Sequence, residues 1–218
     1  LVRRDPGLAM GLGNYYFNGG AYDLARAKSA YKKAVSADSG TRWAHYQLAR
    51  VLLVESDFFG ALAEADKELE AHPENLRTLY IRGLIHGFRG DFIGAERDFR
   101  GFTDWAPTEW AGYNDLAWVL AKLGKFREVL AVLATARERV PGAETNPWLW
   151  NATGVAHLNL TALAEARQAF ERAESLAAEL TVVDWRRAYP GNDPARAASG
   201  LSAFRDAIRM NLARAVDK

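Results

Sequence analysis

The chain has 218 residues, 49% of them hydrophobic and 25% charged, the balance of a folded protein. Its 28 Lys and Arg against 27 Asp and Glu leave a net charge of +1, which argues against a nucleic-acid protein, since that needs a strongly basic face. The absence of cysteine excludes disulfides, thiolate catalysis and cysteine zinc sites, and no apolar run approaches the roughly 20 residues of a membrane span.

Asp5-Pro6 opens the first element, with aspartate as the cap and proline in the first turn. A first helix pair is expected from about Pro6 to Asp38, its turn lengthened near Gly19-Gly20. The second runs from about Thr41 to His72, the third from Pro73 to Ala106 and the fourth from Pro107 to Val140. The fifth starts near Asn146-Pro147, after extra residues around Glu144, and its long second helix reaches about Thr181. Val182 to Pro194 reads as a loop, because Tyr189-Pro190-Gly191-Asn192-Asp193-Pro194 is dense in turn signals. Asp193-Pro194 then opens a last helix to about Val216. Its Leu201, Phe204, Ile208 and Leu212 form one apolar stripe, fit to cap the array. The alternative use of that stripe is to pair with a partner or a second copy.

A constant period sets these boundaries. Pro73, Pro107 and Pro141 are 34 residues apart, and Ser39 lies one interval earlier. Phe58, Phe92 and Phe126 keep the same spacing, as do Gly90 and Gly124. The prolines are placed at the starts of helices, and the glycines at the turn within each pair, where they permit a left-handed residue. A fixed period of this size means repeats, and repeats build surfaces. The expected function is therefore binding, not catalysis.

Several short patterns share this register. Leu12-Gly13-x2-Tyr16, Tyr113-x2-Leu116-Ala117 and Trp150-x2-Thr153-Gly154 fall on first helices. Ala27-x3-Tyr31, Ala95-x3-Phe99 and Ala166-x3-Phe170 fall on second helices. Together they resemble the tetratricopeptide repeat family. The resemblance implies an all-α fold, an α-solenoid of antiparallel helix pairs forming a right-handed superhelix. Residues 1–181 would be the array, and 182–218 a loop with a capping helix. Small residues such as Gly83 and Gly154 would let the two helices of a pair approach closely.

The resemblance further implies that first helices line a concave groove holding a peptide. The residues so placed are Asn14, Phe17 and Asn18; Trp43, Tyr46 and Arg50; Arg77, Tyr80 and Leu84; Asn114, Trp118 and Lys122; and Trp148, Asn151 and Val155. Trp, Tyr and Arg dominate interface energetics, and asparagine can hold a peptide backbone. Arg50, Arg77 and Lys122 make the groove lean positive, so the expected partner is a protein or peptide with acidic groups or a C-terminal carboxylate. Asn14 and Arg77 match the family's carboxylate clamp, whereas Met10, Gln47 and Ile81 depart from it, so no chaperone-tail clamp is expected.

Chemistry is not expected in this chain. His86 and His157 lie in different repeats and lack partners at metal spacing, so neither metal nor cofactor is called for. The mixed charges of Glu64-Ala65-Asp66-Lys67, Glu96-Arg97-Asp98 and Glu171-Arg172-Ala173-Glu174 read as a solvated face. The leading reading is a non-catalytic interaction scaffold. The alternatives are a homo-oligomeric scaffold built through the last helix, and a substrate-presenting part of a larger enzyme. The chain begins at Leu1, not Met, and is expected to be a piece of a longer protein, of bacterial source by its alanine and arginine content. The compartment stays open, because a cysteine-free chain suits either the cytosol or an oxidising space.

Overall fold

A computed structural model describes residues 5–18, 21–189 and 191–216. Among these the chain is all-α, with no strand. The helices are α1 (Pro6–Phe17), α2 (Leu24–Ala37), α3 (Ala44–Val54), α4 (Phe58–Ala71), α5 (Arg77–Phe88) and α6 (Phe92–Trp105). They continue as α7 (Trp110–Lys122), α8 (Phe126–Arg139), α9 (Pro147–Asn159), α10 (Leu163–Glu179), α11 (Val182–Ala188) and α12 (Ala197–Val216). The lengthened turn expected at Gly19-Gly20 lies outside the described residues, as does Pro190.

The same turn ends four first helices. Ser56, Gly90, Gly124 and Thr161 have φ of 62°, 81°, 73° and 60°, all left-handed. The following N–H reaches back to the last turn each time: Asp57 to Leu52, Asp91 to His86, Lys125 to Leu120 and Ala162 to His157, at 2.9–3.0 Å. This double-bonded ending satisfies carbonyls that a helix terminus leaves bare. Aspartate then starts several helices. Asp5, Asp23 and Asp57 accept from the N–H groups of Leu8, Arg26 and Gly60.

The prolines act differently from the expectation. α5 begins at Arg77 and α7 at Trp110, beyond Pro73 and Pro107, whereas Pro6 and Pro147 stand in a first helical turn. Proline disfavours the helical conformation in the residue before it. His72 (φ −135°, ψ 71°) and Val140 (φ −93°, ψ 119°) show this: they close α4 and α8 outside the helical region. The periodic prolines are thus stops for one helix. A second correction concerns Val182 to Ala188, which is helical and not a loop. Thr181 and Asp184 cap it reciprocally, since the Thr181 hydroxyl accepts from the Asp184 N–H (3.2 Å) and the Asp184 carboxylate accepts from the Thr181 N–H (2.9 Å). The last helix proper starts at Ala197, after a 3-10 turn at Pro194–Arg196.

The chain divides into two compact units. The first comprises Leu1–Asp91 with Tyr189–Pro194, and so holds α1 to α5. Phe17, Ala27, Tyr31, Leu48 and Val51 form one of its cores, and Tyr46, Ala49, Ala61, Ala65, Ile81 and Ile85 another. A Cβ at Gly13 would stand 2.3 Å from the ring of Tyr31, so this glycine is what lets α1 and α2 meet.

The second unit comprises Phe92–Ala188 with Ala195–Lys218, and so holds α6 to α12. Gly154 repeats the device, a Cβ there standing 2.5 Å from the ring of Phe170. Leu158, Ala166, Phe170 and Ala215 form one core, with Leu212 against it. Ala173, Ala177 and Ile208 form another, with Trp150 and Phe204 against it. The apolar stripe of α12 is therefore spent on α9 and α10 within this unit, which is the capping role. Arg205 adds polar contacts, donating to the carbonyls of Ala177 (2.9 Å), Ala178 (3.0 Å) and Leu180 (2.8 Å) at the end of α10.

Candidate partner-binding surface

In the first unit the candidate residues gather around Arg50, on α3. Its guanidinium lies over the ring of Phe17 at 4.6 Å and near that of Tyr46 at 5.7 Å. It donates to Gln47 Oε1 at 2.8 Å and to Asn18 Oδ1 at 3.4 Å. Gln47 Nε2 donates to Asn14 Oδ1 at 3.2 Å, and Asn14 Oδ1 also accepts from the Tyr31 hydroxyl at 2.9 Å. One polar chain thus runs from the core at Tyr31 to the surface at Asn18 and fixes the rotamer of Arg50. Gln47, which breaks the family's clamp pattern, is its central link.

Tyr46 is edge-on to Trp43 at 5.3 Å. Burial raises the Tyr46 hydroxyl above the usual tyrosine range, against the opposing pull of the Arg50 and Arg77 charges. Both arginines therefore act on the same phenol. Tyr80 and Leu84 are half-buried against the Tyr46–Ile85 core. Asn14, Asn18 and Arg77 are exposed, whereas Phe17 (3% accessible) and Tyr46 (8%) are buried. The two rings support Arg50 from beneath and offer little area to a ligand.

In the second unit the residues are less uniform. Asn114 donates to Asp115 at 3.1 Å, Trp118 stands edge-on to Phe92 at 6.1 Å, and Lys122 is exposed. Trp148 is only 8% accessible, because it stacks on Trp110 (4.9 Å) and on Phe204 (5.3 Å). Asn151 accepts from Asn211 at 3.3 Å. Both sit where the family resemblance expects a partner, yet α12 provides Phe204 and Asn211. Trp148 is thus a core residue of this unit, a correction to its reading as groove. The physical reason is the cap, which needs an apolar and hydrogen-bonding seat on α9.

No family model matches the sequence. A TPR repeat-containing protein of Methanocaldococcus jannaschii is 28% identical over 117 residues, or 54% of this chain. The match spans only 20% of that relative's length. Among solved structures, MamA superposes with a TM-score of 0.69 at 16% identity, covering 81% of this chain and 96% of its own. YrrB, a TPR protein with an unusual peptide-binding site, gives 0.66 at 20% identity, covering 81% and 89%. A tetratricopeptide repeat protein from Parabacteroides merdae gives 0.60 at 16%, covering 98% and 72%.

The fold is that of the tetratricopeptide repeat. In tetratricopeptide terms, Asn14, Arg50, Arg77, Asn114 and Lys122 belong to first helices, α1, α3, α5 and α7. Asn18 is the cap residue that closes α1. The charge-rich second helices are less exposed than their composition indicates. Asp98 is buried and paired with Arg97 at 3.3 Å. Glu68, next in sequence to the Glu64–Lys67 stretch, has no accessible surface. Its carboxylate accepts from the N–H groups of Trp43 (3.0 Å) and Tyr46 (3.1 Å) and from Asn75 Nδ2 (2.8 Å). It thereby caps α3 from a neighbouring helix and seats Trp43, whose φ of 70° is unusual for a bulky residue. Nothing in the local sequence distinguishes Glu68 from its solvated neighbours.

Proposed function

We propose that this repeat array is a non-catalytic protein-interaction scaffold, and that the Arg50 face of its first unit holds an extended or turn-forming peptide bearing acidic or terminal carboxylate groups. The observation that carries this reading is the preset Arg50. Its guanidinium rests on two buried rings and is held by amide side chains, so little side-chain entropy is lost when it binds. Arg77 adds a second positive charge near the same Tyr46. A planar guanidinium pairs with a carboxylate through two parallel hydrogen bonds. YrrB, which shares the fold, carries a peptide-binding site, and a peptide is the ligand class inferred here.

Short peptides on such a face bind near micromolar strength, about −8 kcal/mol. The test is fluorescence polarisation with a defined set of ten-residue peptides, acidic or neutral, each with a free or an amidated C-terminus. Acidic, free-ended peptides are expected to bind best. Arg50→Ala with Arg77→Ala is expected to weaken them at least about tenfold, the loss of one charged hydrogen bond. Unchanged binding by the double variant would remove the basic face from the reading.

A further inference from the structure

The Arg50 face is occupied by the chain itself. Residues Tyr189–Pro194 belong to the first unit, and Gly191 lies at its centre. The Gly191 carbonyl accepts from the Tyr22 hydroxyl at 3.1 Å. A Cβ on Gly191 would stand 2.8 Å from Arg50 Nη2 and 3.3 Å from Phe17 Cζ. Its φ of +104° is a conformation open to glycine and strained for other residues. Two requirements thus fall on one residue: no side chain, because Arg50 and Phe17 are too close, and a left-handed backbone, because the chain turns there. The Asn192 N–H closes the turn on the Tyr189 carbonyl at 3.2 Å. Asp193 follows Gly191 by two residues, so the stretch that lies against Arg50 carries an acidic residue next to it in sequence.

We propose that Tyr189 and residues 191–194 are a built-in competitor for the Arg50 face, and that the partner which displaces them shares their chemistry: a tight turn with glycine at its centre, a carbonyl offered to Tyr22 and an acidic residue close behind. This rests on the binding reading above and specifies its ligand. The competitor is tethered, so it acts at an effective concentration set by its own chain, of millimolar order for short flexible tethers. A partner must exceed that, and the apparent affinity of the intact protein is lowered by the fraction of molecules in the closed state.

The test uses the intact chain and two variants. Gly191→Val places a branched side chain against Arg50 and Phe17, and Tyr22→Phe removes the hydroxyl that holds the turn. The probe is the free hexapeptide Tyr-Pro-Gly-Asn-Asp-Pro, titrated by two-dimensional NMR, with circular dichroism showing that each variant is folded. Gly191→Val is expected to bind the hexapeptide at least tenfold more tightly than the unaltered chain, and Tyr22→Phe less tightly than Gly191→Val. Adding Arg50→Ala to Gly191→Val is expected to abolish the gain. Equal hexapeptide binding by the intact chain and Gly191→Val, or binding by neither, overturns the proposal. The acidic ten-residue peptides separate the two readings. If they bind both chains with the same affinity, the competitor is overturned and the binding face stands. If they bind neither chain, the binding face falls as well.

Discussion

The left-handed residues show how far a single position can depart from the pattern around it. At the turn within each pair, Gly90 and Gly124 adopt φ > 0 without strain, but Ser56 and Thr161 adopt it with a Cβ. For an L-residue that conformation costs roughly 1–2 kcal/mol, and glycine returns about half of the gain through its greater freedom when unfolded. Ser56→Gly and Thr161→Gly are each expected to stabilise the fold by about 0.5–1 kcal/mol, with the larger effect at β-branched Thr161. Urea unfolding followed by circular dichroism checks this, and a lower midpoint in both variants would refute the shared turn geometry. The turn was readable because glycine marks it twice and the period carries it to Ser56. Glu68 was not readable. A buried carboxylate that serves three donors from a neighbouring helix and the loop after its own has the same letter as a solvated one, and only the packing of α3 against α4 tells them apart.

Between elements, carboxylates tie neighbouring helices through charge. Glu96 on α6 pairs with Arg100 on the same helix and with Lys125 at the start of α8, both within 2.8 Å. Glu64 on α4 pairs with His45 on α3 and with Lys67. Burial works to raise both carboxyls, but the hydrogen bonds and charges of these partners outweigh it and hold each below the usual value of 4.5. A lowered folded value means the stabilisation is complete above the unfolded value and disappears as pH falls through the folded one. The urea midpoint is therefore expected to be flat near neutrality and to fall below about pH 4.5, and Glu96→Gln is expected to make that fall shallower. A variant as acid-sensitive as the unaltered chain would remove Glu96 from this account.

The element scale is also where sequence reading did best and where its misses are instructive. Helix pairs were legible because Ala27, Ala95 and Ala166, with Tyr31, Phe99 and Phe170, repeat the small-and-aromatic packing of one interface. The periodic prolines misled about starts because proline both ends and begins helices, and here the residue before it decides. Helix α11 was hidden by the turn signals after it, although Thr181-x2-Asp184 carried the capping pattern. Equivalent positions also differ in exposure: Leu48, Leu116 and Thr153 are buried, whereas Leu12 is 36% accessible.

At the scale of the whole molecule, the candidate site was partly legible. The family register placed Arg50 and Arg77 on first helices, and the structure adds what holds Arg50 in place: Phe17 beneath it, Gln47 and Asn18 beside it. It could not show that α12 covers Trp148, or that Gly191 lies against Arg50, because both depend on contacts between distant stretches of chain. That distance has a kinetic meaning. Helix contacts in this chain join elements close in sequence, and such contacts form early in folding. The Tyr22–Gly191 bond joins residues 169 apart, and closing so long a loop is entropically slow to be rewarded. In refolding from urea, helix signal is expected to return first and amide protection at Asn192 last. A chain released before that final step would spend its first moments with the Arg50 face open, so age since folding, as well as partner concentration, would decide what the face meets.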